Sequence, residues 1–446
     1  MKIIIAGAGN VGVHLAKLLS KEKQDIILLD EDADRLSALN NSLDIMTVVG
    51  SPTSFKTLND VGIDNADLFI AVTPDESRNT TACMLAMHLG ARKTVARIDN
   101  YEYLRPGHKE FFNKMGIGSL IYPEHLAATE IVSSIRMSWV RQWWEINGGS
   151  LILVGAKMRE KAEILNIPLY KLGAPDLPYH VVAIKRGNET IIPGGNDEIH
   201  LHDIVYFTTT RRYVPYIRKI AGKEDYADVR TVMIMGGSRI AVRTAMYAPD
   251  YMQVKIIESD PDRCNYLTSV LPEKVMVING DGRDLDLLVD EGLKSVDAFV
   301  ALTDNSETNI LACLAAKRMG VEKTVADVEN TDYIGMAESL DIGTVINKKF
   351  IAASHIYQMM LDADVNNVKC LTFADADVAE FTVKEGSRIT GHKVKDLGLP
   401  RCATIGGLVR DGEGHIVNGN TQIQAGDHVM MFCLSMTIKK IEKFFS

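Results

Sequence analysis

Cysteine is sparse in this chain: six residues, at 83, 264, 313, 370, 402 and 433. No two lie close enough to form a CxxC pair, which excludes the usual redox and zinc-ribbon patterns. Cys83 and Cys313 fall in apolar, helix-like segments and are expected in the core. A basic surplus is also missing. Forty-nine Lys and Arg stand against 58 Asp and Glu, a formal net charge of −9, so the chain has no general footprint for nucleic acid or an anionic membrane. No apolar run approaches the ~18 residues of a spanning helix. The first strand begins at the third residue, leaving no room for a secretory leader, so a cytoplasmic protein is expected, with any membrane role that of a peripheral partner. The eleven histidines are scattered. His200 and His202 would share one face of a strand without a third metal ligand, and are read as a solvated strand end. His14 and His88 lie in helical segments and are read as structural. No His–Asp or Lys–Asp pair has catalytic context.

What the chain does contain is concentrated in its first dozen residues, MKIIIAGAGNVG. The apolar run Ile3–Ala6 leads directly into Gly7-Ala8-Gly9-Asn10-Val11-Gly12, and Val11, Leu15, Leu18 and Leu19 then fall on one helical face. Strand, glycine turn and helix in that order form the dinucleotide-binding fingerprint. Gly7 allows the turn, Gly9 leaves room for a pyrophosphate, and Gly12 lets the helix approach the strand. The helix N-terminus favours a bound phosphate. A second apolar run, Ile26–Leu29, ends on Asp30, 23 positions after Gly7 (30 − 7). A ribose-binding carboxylate is expected about 20 residues on. Asp30 is therefore read as the ribose ligand, with N-capping of the next helix as the alternative. An acid here argues against NADP, whose 2′-phosphate it would repel.

The chain is written twice. Leu68–Thr73 matches Ala298–Thr303, Asn79 matches Asn309, Cys83 matches Cys313, and Lys93–Ala96 matches Lys323–Ala326, all displaced by 230 positions (303 − 73). The second copy opens with Thr231–Ala241, and Glu258 corresponds to Asp30. A single long period indicates duplication of a whole domain. Within the first copy, apolar runs at Ile3–Ala6, Ile26–Leu29, Met46–Val49, Leu68–Val72, Thr94–Ile98 and Leu120–Tyr122 alternate with helical segments such as Glu76–Leu89. That alternation predicts a doubly wound α/β domain with a parallel, Rossmann-like sheet covered on both faces.

A helix is expected over Glu124–Val140, with Trp139, Trp143 and Trp144 at its end packing between linked domains. From Glu145 the pattern changes to a small α+β module. Strands are expected at Leu151–Val154, Val181–Lys185, Thr190–Ile192 and Asp203–Phe207, with a hairpin turn at Gly187-Asn188 and a short helix at Tyr213–Ile220. The second copy repeats the module with Ile405–Arg410, a turn at Asp411–Gly414, and Asp427–Phe432. A charged linker is expected near Ala221–Arg230. The expected domains are 1–140, 145–222, 230–364 and 370–446. Asp203 and Asp427 are read as turn or strand-end carboxylates, with cation ligation as the alternative.

This arrangement resembles the regulatory subunits of Trk-type potassium uptake systems, a family built from tandem RCK domains. The resemblance spans essentially the whole chain. It is carried by GAGNVG (7–12), Asp30, AVTPDESRN (71–79), VARI (95–98), the tandem order and IIPGGNDEIHLHDIVYF (191–207). His202 replaces the glycine usual in the last phrase, which Gly426 keeps. The resemblance implies two Rossmann-like RCK N-terminal domains, each followed by a small RCK C-terminal domain. It implies a ring, a tetramer of tandem chains, beneath a membrane-embedded TrkH-like potassium transporter subunit at the inner face of the membrane. NAD(H), and alternatively ATP or ADP, would be the ligand. The first site would place Gly7, Ala8, Gly9, Asn10 and Val11 on pyrophosphate and Asp30 on ribose. Thr73 and Pro74 would lie near the phosphates or nicotinamide, and Arg97 would bind phosphate, a role suited to a bidentate guanidinium.

The second site departs from the pattern. Its turn is Gly236-Gly237-Ser238-Arg239-Ile240-Ala241, with Ser238 where the backbone should approach pyrophosphate. Glu258 keeps the ribose acid, Thr303 keeps the strand end, and Asp327 replaces Arg97. The two halves are therefore expected to be unequal, with the first binding tightly. Three function classes stand open: a non-enzymatic nucleotide-sensing regulator, an NAD-dependent oxidoreductase with a duplicated Rossmann domain, and a scaffold with structural nucleotide.

Overall fold

The computed structural model describes the chain apart from residues 21–23, 41–44, 173–176, 188, 361–364, 372–375, 435–440, 442–443 and 446, and apart from the side chains of 18, 38, 40, 357, 358, 360, 365–371 and 377. The expectations placed on Leu18, Asn188 and Cys370 lie outside the described residues.

The apolar runs of the first copy become strands β1 (Lys2–Ala6), β2 (Asp25–Asp30), β3 (Met46–Val49), β4 (Leu68–Ala71), β5 (Thr94–Arg97) and β6 (Ser119–Ile121). They pair in parallel in the order β3-β2-β1-β4-β5-β6. Ile3 lies opposite Ile26 on one side and Leu68 on the other. The Ile3–Ile5 run has no polar alternation because both faces are covered, and all three side chains are fully buried. Each contributes roughly 1.5–3 kcal/mol by leaving water. The helix Glu76–His88 covers one face, setting Ala82, Cys83 and Ala86 against Ile4, Ala6, Phe69 and Ala71.

A five-stranded antiparallel sheet follows. Its strands are β7 (Gln142–Ile146), β8 (Leu151–Lys157), β9 (Tyr179–Arg186), β10 (Glu189–Ile191) and β11 (Ile204–Thr209), in the order β10-β9-β11-β8-β7. The second parallel sheet comprises β12 (Thr231–Met235), β13 (Gln253–Glu258), β14 (Val275–Asn279), β15 (Ala298–Ala301), β16 (Lys323–Asp327) and β17 (Thr344–Ile346). Its order, β14-β13-β12-β15-β16-β17, repeats that of the first. The last sheet contains β18 (Val365–Leu371), β19 (Ala376–Thr382), β20 (Ala403–Arg410), β21 (Glu413–Ile416) and β22 (His428–Leu434), in the order β18-β19-β22-β20-β21. Counted from its own first strand, it has the strand order of the first small sheet, so the duplication includes both modules.

The chain divides into two compact units. One is Met1–Leu126 with Lys348–Leu361. Within it the helix Asn10–Ser20 packs on the helix Lys348–Met360, and the His14 ring meets Phe350 edge-on with centroids 4.3 Å apart. The other is Ala127–Asn347 with Asp362–Ser446. Within it the two small sheets share one buried cluster, which joins Leu153, Val182 and Tyr206 to Val378, Met430 and Phe432.

Four local expectations need correction. The helix expected over Glu124–Val140 spans Pro123–Ile135. It stops there because Trp139 and Val140 turn into the core beneath β8, β9 and β11. Trp143 and Trp144 then belong to edge strand β7, which the sequence reading missed. The turn expected at Asp411–Gly414 is shorter, since Arg410 already pairs with Glu413 and Val409 with Gly414. The Ala221–Arg230 linker has no helix or strand, but it is not a loose charged tether. Lys223 and Val229 are buried, and Arg218 Nε donates to the Lys223 carbonyl at 3.1 Å.

Candidate functional site

The carboxyl ends of β1, β2 and β4 meet where the strand order reverses, the position at which doubly wound sheets bind ligands. Gly7 forms the turn at φ 111°, a conformation that side chains rarely adopt, with its N–H donating to the Leu29 carbonyl at 2.8 Å. A Cβ on Gly12 would lie 1.9 Å from the Gly7 carbonyl oxygen, so only glycine lets the helix begin this close to the strand. A Cβ on Gly9 would meet nothing within 4 Å, which leaves that segment of backbone facing open space. Asn10 is exposed, whereas Ala8 and Val11 are buried.

Asp30 joins this turn to β2. Its Oδ2 accepts from Ala8 N at 2.5 Å and its Oδ1 from Asp32 N at 2.9 Å. The alternative role, capping the next helix, belongs instead to Asp32, whose Oδ1 accepts from Asp34 N and Arg35 N at 3.0 and 3.1 Å. Asp30 is thus a half-buried carboxylate held by backbone donors at the mouth of the turn, with further lone pairs to offer. Beside it Glu31 pairs with Arg78, and that hydrogen bond holds its carboxyl below the usual range.

Thr73 follows β4, and its backbone lies 3.0 Å from the Cβ position of Gly7. The buried side chain of Asn79 fixes it. Asn79 Oδ1 accepts from Thr73 N at 2.9 Å and from Thr73 Oγ1 at 2.6 Å, while Nδ2 donates to the carbonyls of Thr73 and Arg97, both at 2.9 Å. One amide therefore pins the ends of two strands. The Thr73 hydroxyl is committed to this bond, and Pro74 beside it is exposed. The Arg97 side chain is 21% exposed, and among the described residues its carboxylate partners are distant, Asp99 at 3.6 Å and Glu124 at 3.9 Å. Its buried Nε finds no hydrogen-bond acceptor among the described residues. A guanidinium this loosely paired suits an incoming phosphate better than a closed ion pair would.

The second half rebuilds the frame with different chemistry. Glu258 Oε2 accepts from Gly237 N at 2.6 Å, as Asp30 does from Ala8. Asn309 repeats the Asn79 pattern, accepting from Thr303 N at 3.0 Å and donating to the Thr303 and Asp327 carbonyls at 2.9 Å. Ser238, however, caps the helix Arg239–Tyr247, its Oγ accepting from Ala241 N at 3.3 Å. The hydroxyl thus takes a backbone donor for which Gly9, at the equivalent position of the first turn, has no side chain. The cavity here, about 360 Å³, is lined by Gly236, Gly237, Ser238, Glu258 and Thr303 together with Asp281 and Asp304. Its one lining arginine, Arg283, is held by Asp281 at 2.7 Å. Arg239, Ile240 and Asp327 are not among the lining residues, and Asp327 is buried at the end of β16. This cleft is therefore lined by three carboxylates and by one arginine that Asp281 already holds.

Sequence reasoning gave Asn79 and Asn309 no role, although their match across the repeat marked them. It also missed the partners of the small-domain acids. Asp203 is gripped by Arg186 (Nε–Oδ1 3.0 Å, Nη2–Oδ2 2.8 Å) and accepts from His200 N at 2.8 Å. Asp427 is gripped by Arg410 at 2.8 and 2.7 Å and accepts from Gln424 N at 2.8 Å. Both acids are buried strand-end carboxylates, and no cluster able to hold a metal occurs among the described residues. His202 adopts φ 73° where Gly426 adopts 87°, so the same left-handed turn is kept at some cost in strain. The buried Cys313 thiol donates to the Val325 carbonyl, and burial pushes it up to about 12, which makes it an inert core residue.

The TrkA-N domain model matches residues 3–123 and again 232–348, and the TrkA-C domain model matches 378–446. The chain belongs to the TrkA family. It is 32% identical over 452 residues to the Trk system potassium uptake protein TrkA of Halomonas elongata, covering 100% of this chain and 98% of that one. It is 32% identical over 455 residues to the Trk system potassium uptake protein TrkA of Haemophilus influenzae, with the same coverage. The solved GsuK channel bound to NAD superposes with a TM-score of 0.63 at 14% identity, spanning 100% of this chain and 78% of that one. The TrkA-family chain therefore shares its fold from end to end with an RCK-bearing channel. Among its described residues no helix is long and apolar enough to cross a membrane.

Proposed function

We propose that this TrkA-family chain is a nucleotide-sensing regulatory subunit of a potassium uptake system. It acts from the cytoplasmic face, without catalysis, on a membrane-embedded transporter subunit. One observation carries the reading. The glycine turn, the Asp30 carboxylate fastened to it and the loosely paired Arg97 all belong to strand ends of one parallel sheet. Gly7 to Val11 would hold pyrophosphate, Asp30 a ribose, and Arg97 a phosphate oxygen, with Thr73 and Pro74 shaping the rim. NAD(H) is the ligand proposed, with ATP or ADP as the runner-up. The open space at Gly9 and the unmatched Arg97 Nε both fit such a group.

Regulation requires that nucleotide bind two conformations with different affinity. The Asn79 clasp supplies a means, because a ligand that displaces Arg97 also pulls on a carbonyl tied to Thr73. The modules 1–140, 145–222, 230–364 and 370–446 would assemble as a tetrameric ring of tandem chains. The first cleft would be the tight one, and the acidic second cleft, capped by Ser238, weak or silent. The test is nucleotide titration of the wild type beside Asp30→Ala and Arg97→Ala, with potassium uptake in cells as the readout. Loss of NADH binding together with loss of regulated uptake supports the reading. Unchanged uptake in variants that no longer bind would overturn it, as would rapid turnover of NADH on a metabolite.

A further inference from the structure

The unit formed by Ala127–Asn347 and Asp362–Ser446 contains a second concentration of charge, outside both glycine turns. Arg141 precedes β7, Lys157 ends β8, Arg159 follows it, Lys223 sits in the connection after the first small sheet, Lys317 is on the helix Ser306–Arg318, and Lys323 opens β16. All six line one cavity of about 350 Å³. A single acid touches four of them. Asp341 lies within 3.3 Å of Arg141, Lys157, Arg159 and Lys317. Asp341 itself is not on the cavity wall, and the one acid that is, Glu322, is exposed. Four cations thus share one carboxylate.

The remaining two lysines are deeper. Lys323, 3% exposed, donates to the Val140 carbonyl at 2.7 Å and the Thr344 hydroxyl at 3.1 Å. Lys223, also 3% exposed, has one acceptor among the described residues, the Tyr226 phenol at 2.9 Å. The Tyr226 ring centroid is also 4.1 Å from this nitrogen, but an ammonium carries three donors, so Lys223 keeps N–H groups beyond its single hydrogen bond. Excess positive charge removed from water is costly unless an anion joins it.

We propose that this cavity is a binding site for a small phosphate-bearing anion. Two guanidiniums match phosphate oxygens as planar forks and the ammoniums add point charges. The volume is at the lower end for ligand sites, which fits an oligophosphate or the phosphate tail of a larger molecule. Arg141 and Lys223 approach from the small domain and its exit, Lys317 and Lys323 from the second parallel-sheet domain. A bound anion would therefore tie these two domains together. Lys223 also reports the event. Burial, then Arg159 and Arg141, bring it down to about 7, and an anion would reverse the effect, so binding near pH 8 takes up a proton.

The test is calorimetric titration of the full chain with sodium tripolyphosphate, in buffers of different ionisation heat. The expected result is one site per chain that takes up a fraction of a proton. The Arg159→Gln/Lys223→Gln variant should bind at least about tenfold more weakly, while Lys223→Arg stays close to wild type. Unchanged NADH affinity in each variant verifies folding. An ATP arm separates the sources: competition with tripolyphosphate at this site assigns a nucleotide's phosphate tail, and tripolyphosphate binding without competition assigns free oligophosphate. No binding at millimolar tripolyphosphate overturns the proposal. So does affinity that is equal in wild type and the double variant, or a loss in Lys223→Arg as large as in the double variant.

Discussion

Replacing Asn79 by alanine removes four hydrogen bonds at once, two accepted from Thr73 and two donated to the Thr73 and Arg97 carbonyls. Asn79 is 1% exposed and Thr73 9%, so water does not readily take over. At about 1 kcal/mol net per bond, with an added penalty for polar groups left unpaired, the cost is about 3–5 kcal/mol. It falls first on the local opening that frees the Thr73 amide. Tryptophan fluorescence is the wrong assay, because Trp139, Trp143 and Trp144 all belong to the other compact unit. Native-state hydrogen exchange of the peptide around Thr73 is the right one. The expected acceleration in Asn79→Ala is about two to three and a half powers of ten. Asn309→Ala should produce a similar change around Thr303, because its bonds have the same pattern and lengths within 0.1 Å. Of the two, only Asn79→Ala should weaken the tight nucleotide site. An acceleration below about tenfold at both positions would mean that the clasp is incidental, and the link drawn between Arg97 and Thr73 would fail.

Gly12→Ala forces a Cβ against the Gly7 carbonyl oxygen. It should cost at least about 1–3 kcal/mol and abolish nucleotide binding, as read by thermal melting with and without NADH. Arg410→Met strands the Asp427 carboxylate, which is 1% exposed, and should destabilise by about 3–5 kcal/mol. Urea unfolding checks this, and Arg186→Met should behave alike through Asp203. Lys223 titrates near 7 in the folded protein and near its ordinary value when unfolded. The unfolded state then binds more protons between about pH 7 and 10.5, so this group makes stability rise with pH in that window by up to ~1.4 kcal/mol per unit. Lys223→Met should lose that slope in urea titrations run at pH 7, 8 and 9, whereas a slope equal to wild type would refute the assignment.

The frame of the site was legible because it depends on short-range rules. Continuous isoleucine and leucine runs indicated buried parallel strands, and the glycine spacing indicated where the first one turns. Asp30 stood at the right distance, and the structure then separated its role from that of Asp32, two residues later. What could not be read depends on register. Arg186 reaches Asp203 because β9 pairs antiparallel with β11, and Asp341 meets Arg141 across 200 positions. Neither pairing leaves a local trace. Strand β7 was misread because QWWEI lacks alternation and follows a convincing helix, whose end is set by Trp139 finding the core of the next domain. Asn79 was visible as a repeated residue, but its four bonds appear only when two strand ends are side by side.

The central claim is that one cleft, built on Gly7, Asp30 and Arg97, senses nucleotide for the whole chain. Calorimetric titration of the purified full-length protein with NADH tests it most directly. The account predicts one tight site per chain, lost in Arg97→Ala and in Asp30→Ala and unaffected by Glu258→Ala. Two equivalent sites, or a tight site that disappears in Glu258→Ala and survives in Asp30→Ala, would contradict it.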